Sequence, residues 1–492
     1  MRRLAALVGG ALLLLIAVLV ANTLRGGPAE EAVEPVPPLA LDRLALAERL
    51  SRAIQIETIT LAEDAPLRFE AFRELHDVLA ESFPRLHAVL EREVVAEGSL
   101  LYRWAGTDPS APPILLMGHL DVVPIEPGTE ERWTHPPFAG TVDTEFVWGR
   151  GTLDDKVSVV GICEAVEHLV AAGFVPKRTV YLAFGHDEEI GGNVGAKSIA
   201  ALLQSRGVKL EFTIDEGMGI IGRGLLPAID HEIALIGLAE KGYLTLDVIA
   251  TAMGGHSSTP PEQTAVGRLA RALTRLEADP QPEAVRGPVA HMFDALANES
   301  SFWMRLVLRN RWLFDPVLRA ALRREPPQAA MLHTTTAPTM LQAGVKDNVL
   351  PTEARATVNF RILPGDSVAS VTEHARRAIA DPGIELRARA ANEPSPTSDP
   401  TSPSYRTVAR TIRQVFPGAG VAPALVLGGT DSKHYREVAE QSFRFVPLRL
   451  APEDLKRVHG TDERISIDGY ADVVRFFVQL LQNAAGNGDG VK

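Results

Sequence analysis

Carboxylate and imidazole side chains recur in six short, mostly glycine-bearing stretches of this chain. They are GHLDVV (118–123), GRGTLDDK (149–156), HDEEIGG (186–192), TIDEG (213–217), GGTDSKHY (428–435) and HGTDERI (459–465). Oxygen and nitrogen donors without a thiolate suit a hydrolytic site for divalent metal, zinc first, with manganese or cobalt as alternatives. Several of the stretches end a β-rich run, which collects them at one edge of an α/β sheet, where open α/β folds bind ligands.

His119 and Asp121 are two residues apart at the end of the apolar run ILLMG, so both side chains can point the same way, and the carboxylate can fix the tautomer of the imidazole and raise its basicity. Asp154 lies in a glycine-rich turn before a helix, where Asp154 or Asp155 could equally serve as an N-cap. Glu188 and Glu189 end the strand-like run TVYLAF. Adjacent carboxylates at a buried strand end repel unless a cation or a proton separates their roles, so one can bind metal while the other moves protons, and Glu188 fits the second task. Asp215 ends the next strand, with a turn cap as its alternative reading, and His459 stands near the carboxyl end, where a surface histidine is the alternative. Two divalent ions carry four positive charges. Asp154, Glu189 and Asp215 offset three, and a bridging hydroxide with two neutral imidazoles completes neutrality, as a two-metal hydrolase requires. The single cysteine, Cys163, sits in the apolar run VSVVGICEAV and reads as a small buried hydrophobe.

These residues need a scaffold larger than one ordinary core, and 492 residues imply two folded domains. The formal charge of −12 argues against nucleic acid and leaves small molecules as the expected partners. Arg2 and Arg3 precede an uninterrupted apolar stretch at 4–21, long enough to cross a bilayer, with the arginines expected on the cytoplasmic side. Residues 1–25 therefore read as a signal anchor, or else a cleaved signal peptide, and place the remainder outside the cytoplasm: periplasmic in a bacterium, or secreted if cleaved. A proline-rich tether follows at 26–40. From 41 to 239, helical periodicity alternates with β-rich runs at 114–117, 179–184 and 210–214, and a strong helix is expected at 157–172, which means α/β with a largely parallel sheet. The pattern changes in 240–391. TLDVIATA alternates like a strand with one solvent face, helices are expected at 265–278 and 368–380, and a strand at 354–363, so this segment reads as a smaller α+β insert. The turn-rich loop at 392–404 returns the chain to the first domain over 392–484, and 485–492 is a tail. The stretch 302–322, rich in Phe, Trp, Leu and Arg, reads as packed lid helices, with an acyl-chain site or a membrane contact as alternatives.

Taken together, GHLDVVP, WTHPPFAG, WGRGTLDDK, RNRWLF, TTTAPTMLQAGVKDNVLP, NFRILPGD and GGTDSKHY resemble the co-catalytic zinc metallopeptidase family of carboxypeptidase S, aminoacylase and glutamate carboxypeptidase. The nearest branch contains carboxypeptidase S and the N-fatty-acyl-amino-acid synthase/hydrolases. The resemblance implies that His119, Asp154 and Asp215 hold one metal and that Asp154, Glu189 and His459 hold the other. It further implies that Asp121 orients His119, that Glu188 is the general acid/base, and that a cis peptide follows Asp154. The insert becomes a lid through which subunits form a homodimer. Its GGHSS motif places His256 to stabilise the oxyanion, and Asn348 and Arg361 to hold the substrate carboxylate and reacting carbonyl, with the backbone of Gly428 and Gly429 as a further contact. His434, although in a motif, falls outside the ligand set. The implied activity is amide hydrolysis of N-acyl amino acids or small peptides bearing a free carboxylate. Carboxypeptidase or dipeptidase action is one alternative, and non-catalytic capture of amphipathic amino-acid derivatives is another.

Overall fold

A computed structural model describes residues 1–25, 33–62, 65–223 and 229–486. Of the expected tether at 26–40, residues 26–32 lie outside the described residues, as do 487–492 of the expected tail at 485–492.

Four strands form the middle of a ten-stranded sheet: Val180–Gly185, Ile114–His119, Leu210–Asp215 and Ala439–Arg444, side by side and parallel. Their apolar residues run almost without interruption because both faces are covered, as in parallel sheets generally. Leu116, Phe184 and Ile214 face the helices Arg43–Ile54, Lys156–Ala171 and Ile467–Ala485. Leu115, Met117 and Ala183 face the helix Gly195–Ser205 on the other side. Toward both margins the sheet becomes mixed. Ser99–Trp104 runs antiparallel to Val180–Gly185, and Ile233–Glu240 runs antiparallel to Ala439–Arg444 while pairing parallel with Gly420–Val426. Parallel strands share a carboxyl edge, and the central ones deliver His119, the turn after Gly185, and Asp215 to that one edge. The buried Cys163 lies within the larger core, as the sequence suggests.

A second, four-stranded antiparallel sheet has the order Thr335–Ala343, Glu353–Ile362, Gly242–Thr251, Ile384–Asn392. Helices Ala265–Ala278 and Val368–Ile379 cover one face. The expectation of a solvent face for TLDVIATA is corrected here: the strand is central and buried nearly throughout. Asp247 on that second face is 1% exposed, with Thr357 Oγ1 donating to it at 3.1 Å and the Arg389 Nε at the same distance. Long arginine stems cover what alternation alone assigns to water.

The N-terminal apolar stretch forms one helix, Arg2–Leu24, of 23 residues, long and apolar enough to cross a membrane. The segment 302–322 forms two short helices, Phe302–Arg309 and Arg311–Leu322.

Candidate metal centre

His119 ends its strand with the ring buried. Its Nδ1 lies 3.0 Å from the Asp121 carbonyl oxygen and 3.3 Å from Asp121 Oδ1, and its Nε2 lies 2.9 Å from Asp154 Oδ1 and 3.5 Å from Glu216 Oε1. Asp121, fully buried, does more than face the histidine. Its two carboxylate oxygens accept the backbone N–H groups of Glu188 and Glu189, both at 3.1 Å, and the Thr60 hydroxyl at 2.8 Å. One side chain thus fastens the His119 strand end to the turn that carries the paired glutamates.

Asp154 sits where the glycine-rich loop enters the helix Lys156–Ala171, and the peptide joining it to Asp155 is cis, as the resemblance implies. Its second oxygen lies 3.1 Å from His459 Nε2, which is also 3.2 Å from Glu189 Oε2. The Asp154 loop and the His459 segment are tied together by the buried Glu463. Its carboxylate accepts the N–H groups of Gly151 at 3.0 Å, Leu153 at 2.7 Å and Asp154 at 3.2 Å, and pairs with the buried Arg150. Sequence reasoning recognised the segment but not this residue, whose charge stands four positions past His459.

Asp215 does not join the groups formed around Asp154. Its Oδ2 accepts from the Thr430 hydroxyl and the Ser432 N–H, each at 2.8 Å. The carboxylate brought to His119 and Asp154 is that of the next residue, Glu216. Successive residues at a strand end point to opposite faces, so one step along TIDEG exchanges a loop-holding carboxylate for a cluster-facing one. The signal was present as two consecutive acidic residues. Behind Asp215, Thr430 and Ser432 also contact Glu240, which pairs with the buried Arg444 at 2.9 Å.

Among the described residues two groups form, each with its ligand atoms within 4.8 Å of one another: His119, Asp154 and Glu216, and Asp154, Glu189 and His459. Asp154 belongs to both. Burial opposes ionisation of its carboxyl, but hydrogen bonds from His119 and His459 hold it well below the usual range. Burial, reinforced by the charge of Asp154, pushes Glu216 up to about 8. Burial and then the charge of Glu216 raise Glu188 well above an ordinary glutamate. His459 is pushed up to about 10 by its hydrogen bonds to Asp154 and Glu189. Glu189 Oε1 is buried without a hydrogen-bond partner. Carboxylates crowded this closely, with an orphaned oxygen among them, fit a centre completed by divalent cations.

The remaining expected residues lie apart from this cluster in their contacts. His256 is exposed and bonds Ser258 Oγ at 2.8 Å. It shares a two-stranded ladder with Val349, next to the exposed Asn348, whose carbonyl accepts from Ser257 N–H at 3.2 Å. Arg361 places its guanidinium 4.8 Å above the Tyr243 ring. Gly428 and Gly429 are exposed, with open space where a Cβ would stand. His434 bonds the Gly191 carbonyl oxygen at 3.0 Å, outside both groups, and burial lowers its pKa to about 4.

Comparison with known proteins gives a consistent picture. The model of peptidase family M20/M25/M40 matches residues 115–483. The chain is 40% identical over 480 residues to probable carboxypeptidase S-like 2 of Dictyostelium discoideum, covering 95% of this chain and 92% of the relative. It is also 40% identical over 449 residues to the N-fatty-acyl-amino acid synthase/hydrolase PM20D1 of Mus musculus, covering 90% and 88%. Among solved structures, the M20 family metallo-carboxypeptidase Sso-CP2 of Sulfolobus solfataricus superposes with a TM-score of 0.63 at 17% identity, over 90% of this chain and 99% of that one, a likeness of fold.

Proposed function

The chain belongs to peptidase family M20/M25/M40, metal-dependent hydrolases of amide bonds, and from that premise we propose that it cleaves N-acyl amino acids with Glu188 as the general acid/base. The observation that carries this reading is the convergence of His119, Asp154, Glu189, Glu216 and His459, with Glu188 beside Glu189 and its N–H held by the same Asp121 that orients His119. In this reading His119, Asp154 and Glu216 would hold one zinc ion and Asp154, Glu189 and His459 another, and the chemistry supplied there would be Lewis acidity toward the scissile carbonyl and the attacking water.

The protein groups do the rest. Glu188 takes the proton of the attacking water and delivers it to the leaving amine nitrogen, and its raised pKa suits a group that must hold a proton between those events. Asp121 keeps the Nδ1 of His119 engaged so that Nε2 faces the cluster. From the lid, His256 donates to the carbonyl oxygen as it gains charge, while Arg361 and Asn348 receive the substrate carboxylate and the reacting carbonyl, and the exposed backbone at Gly428 and Gly429 makes a further contact. Segments 41–239 and 392–484 form the catalytic domain and 240–391 the lid, which joins two copies in a homodimer. The Arg2–Leu24 helix anchors the enzyme on the extracytoplasmic face.

Acyl specificity is tested by following amine release by the full chain in detergent from N-acetyl, N-lauroyl and N-oleoyl amino acids and from a dipeptide panel, with zinc or chelator added. Chelator-sensitive release from the long-chain substrates is expected. Preference for dipeptides would move the assignment to a carboxypeptidase or dipeptidase, and no turnover with metal bound would make the protein a binder.

A further inference from the structure

The helices Phe302–Arg309 and Arg311–Leu322 carry charge and apolar surface on opposite sides from those a water-facing pair would use. Their arginines turn inward. Arg305 donates to the carbonyl oxygens of Ala297 at 2.9 Å and Ser300 at 3.0 Å, and Arg311 pairs with Asp294 at 2.7 Å and Arg319 with Asp315 at 2.8 Å. The exposed positions of the second helix are Trp312, Leu313, Pro316, Val317, Ala320 and Ala321. At about 100° per residue these occupy a continuous arc of about 180°. Phe302 and Trp303 extend the surface at the start of the first helix. Trp303 is 75% exposed, Trp312 61% and Val317 64%.

The place of this face relative to a bilayer follows from one residue. Asn310, at the joint between the two helices, is fully buried. Its side-chain amide donates to the Leu306 carbonyl at 2.9 Å and the Leu19 carbonyl at 3.2 Å, and its Oδ1 accepts from Asn22 at 2.9 Å. Trp312 Nε1 lies 3.4 Å from the same Oδ1. Thr23 of the N-terminal helix is also buried here. The joint is therefore fastened to Leu19, Asn22 and Thr23. A helix of 23 residues is about 35 Å long against a hydrocarbon thickness of about 30 Å. With the apolar residues 4–21 inside the bilayer, the Leu19 carbonyl lies within about a turn of its boundary, which puts the Asn310 joint at headgroup depth. Tryptophan is enriched at that level, and an amphipathic helix lying in it buries its apolar face.

We propose that the outer face of Phe302–Arg309 and Arg311–Leu322 docks on the lipid surface, giving the enzyme a second membrane contact and a fixed orientation. This rests on the reading that Arg2–Leu24 spans the bilayer. The partner is lipid rather than protein because the face is continuous with the foot of a membrane-crossing helix and shares Asn310 with it.

The test uses the full chain reconstituted in phosphatidylcholine vesicles, separated by flotation, with lipids brominated either near the headgroup or deep in the chain. Trp104, Trp133 and Trp148 are buried and supply a constant background. Bromines near the headgroup are expected to quench tryptophan emission more than deep ones, and the variant W303F/W312F is expected to lose most of that quenching while still floating. V317D, which places a charge on the face without removing a fluorophore, should reduce quenching as well. Flotation with equal quenching in wild type and W303F/W312F overturns the docking while leaving the anchor intact. Tryptophans shielded from aqueous iodide but untouched by brominated lipid would mean that a second copy covers the face, and would also overturn it. Failure to float removes the anchor and the docking together, and leaves the hydrolase assignment standing on amine release.

Discussion

The two halves of the candidate site are built to different standards. On the catalytic sheet, His119, Asp154, Glu189, Glu216 and His459 are already within a few ångströms of one another, with Asp121 holding His119 and the backbone of Glu189, and Glu463 holding that of Asp154. On the lid, His256 is exposed on a short ladder with the exposed Asn348 beside it, and Arg361 rests on an aromatic ring. The first half is preorganised for metal and proton transfer. The second is exposed at a surface, and in the proposed reading closure or a partner subunit would bring it to bear on the first.

Substitutions should separate them. The largest effect is expected from Glu188→Gln, which keeps the shape and removes the proton carrier: kcat falls by about 10³-fold with metal content unchanged. Loss of metal in this variant would place Glu188 among the ligands. Next, Glu216→Gln should strip metal, whereas Asp215→Asn, which acts on the loop at Thr430 and Ser432, should weaken metal binding by no more than about 10- to 100-fold. Metal analysis after dialysis decides between them, and the reverse order would exchange their roles. On the lid, His256→Ala should lower kcat by about 10²-fold while metal stays bound. Arg361→Ala should act mainly on KM, with a cost of about 1.5–3 kcal/mol in kcat/KM against substrates with a free carboxylate. A substrate with that carboxylate amidated should not register the change.

The smallest effect on turnover falls on His434. Its folded pKa of about 4 lies below the ordinary 6.5, so the neutral form is favoured in the native state. That contribution to stability is full above pH 6.5 and is lost as pH falls toward 4, by about 3 kcal/mol at most. Denaturant titrations of His434→Gln should show a flatter pH dependence in that window, with turnover at neutral pH little altered. An unchanged slope would mean that the ring titrates alike in both states.

Strand ends and glycine turns made much of the catalytic half readable, because an apolar run stopping at His119 or before Glu188 says where a side chain leaves the sheet. Periodicity also located the helix Ala265–Ala278. What it could not decide was which of Asp215 and Glu216 faces the cluster, since a single-residue step at a strand end reverses the direction. It also misassigned the exposed face of TLDVIATA, because the arginines that cover Asp247 come from strands distant in sequence. In 302–322 an amphipathic pattern was visible, but spacing alone does not say whether the apolar or the arginine-bearing side meets the protein.

The Glu463 carboxylate reaches back across 309 residues to the Asp154 N–H. Both candidate ion positions require Asp154, and one also requires His459, so neither the loop nor the ligand set is finished until nearly the whole polypeptide has been made. Cation uptake thus becomes a late checkpoint of synthesis, and a product truncated ahead of Glu463 would be unable to pass it.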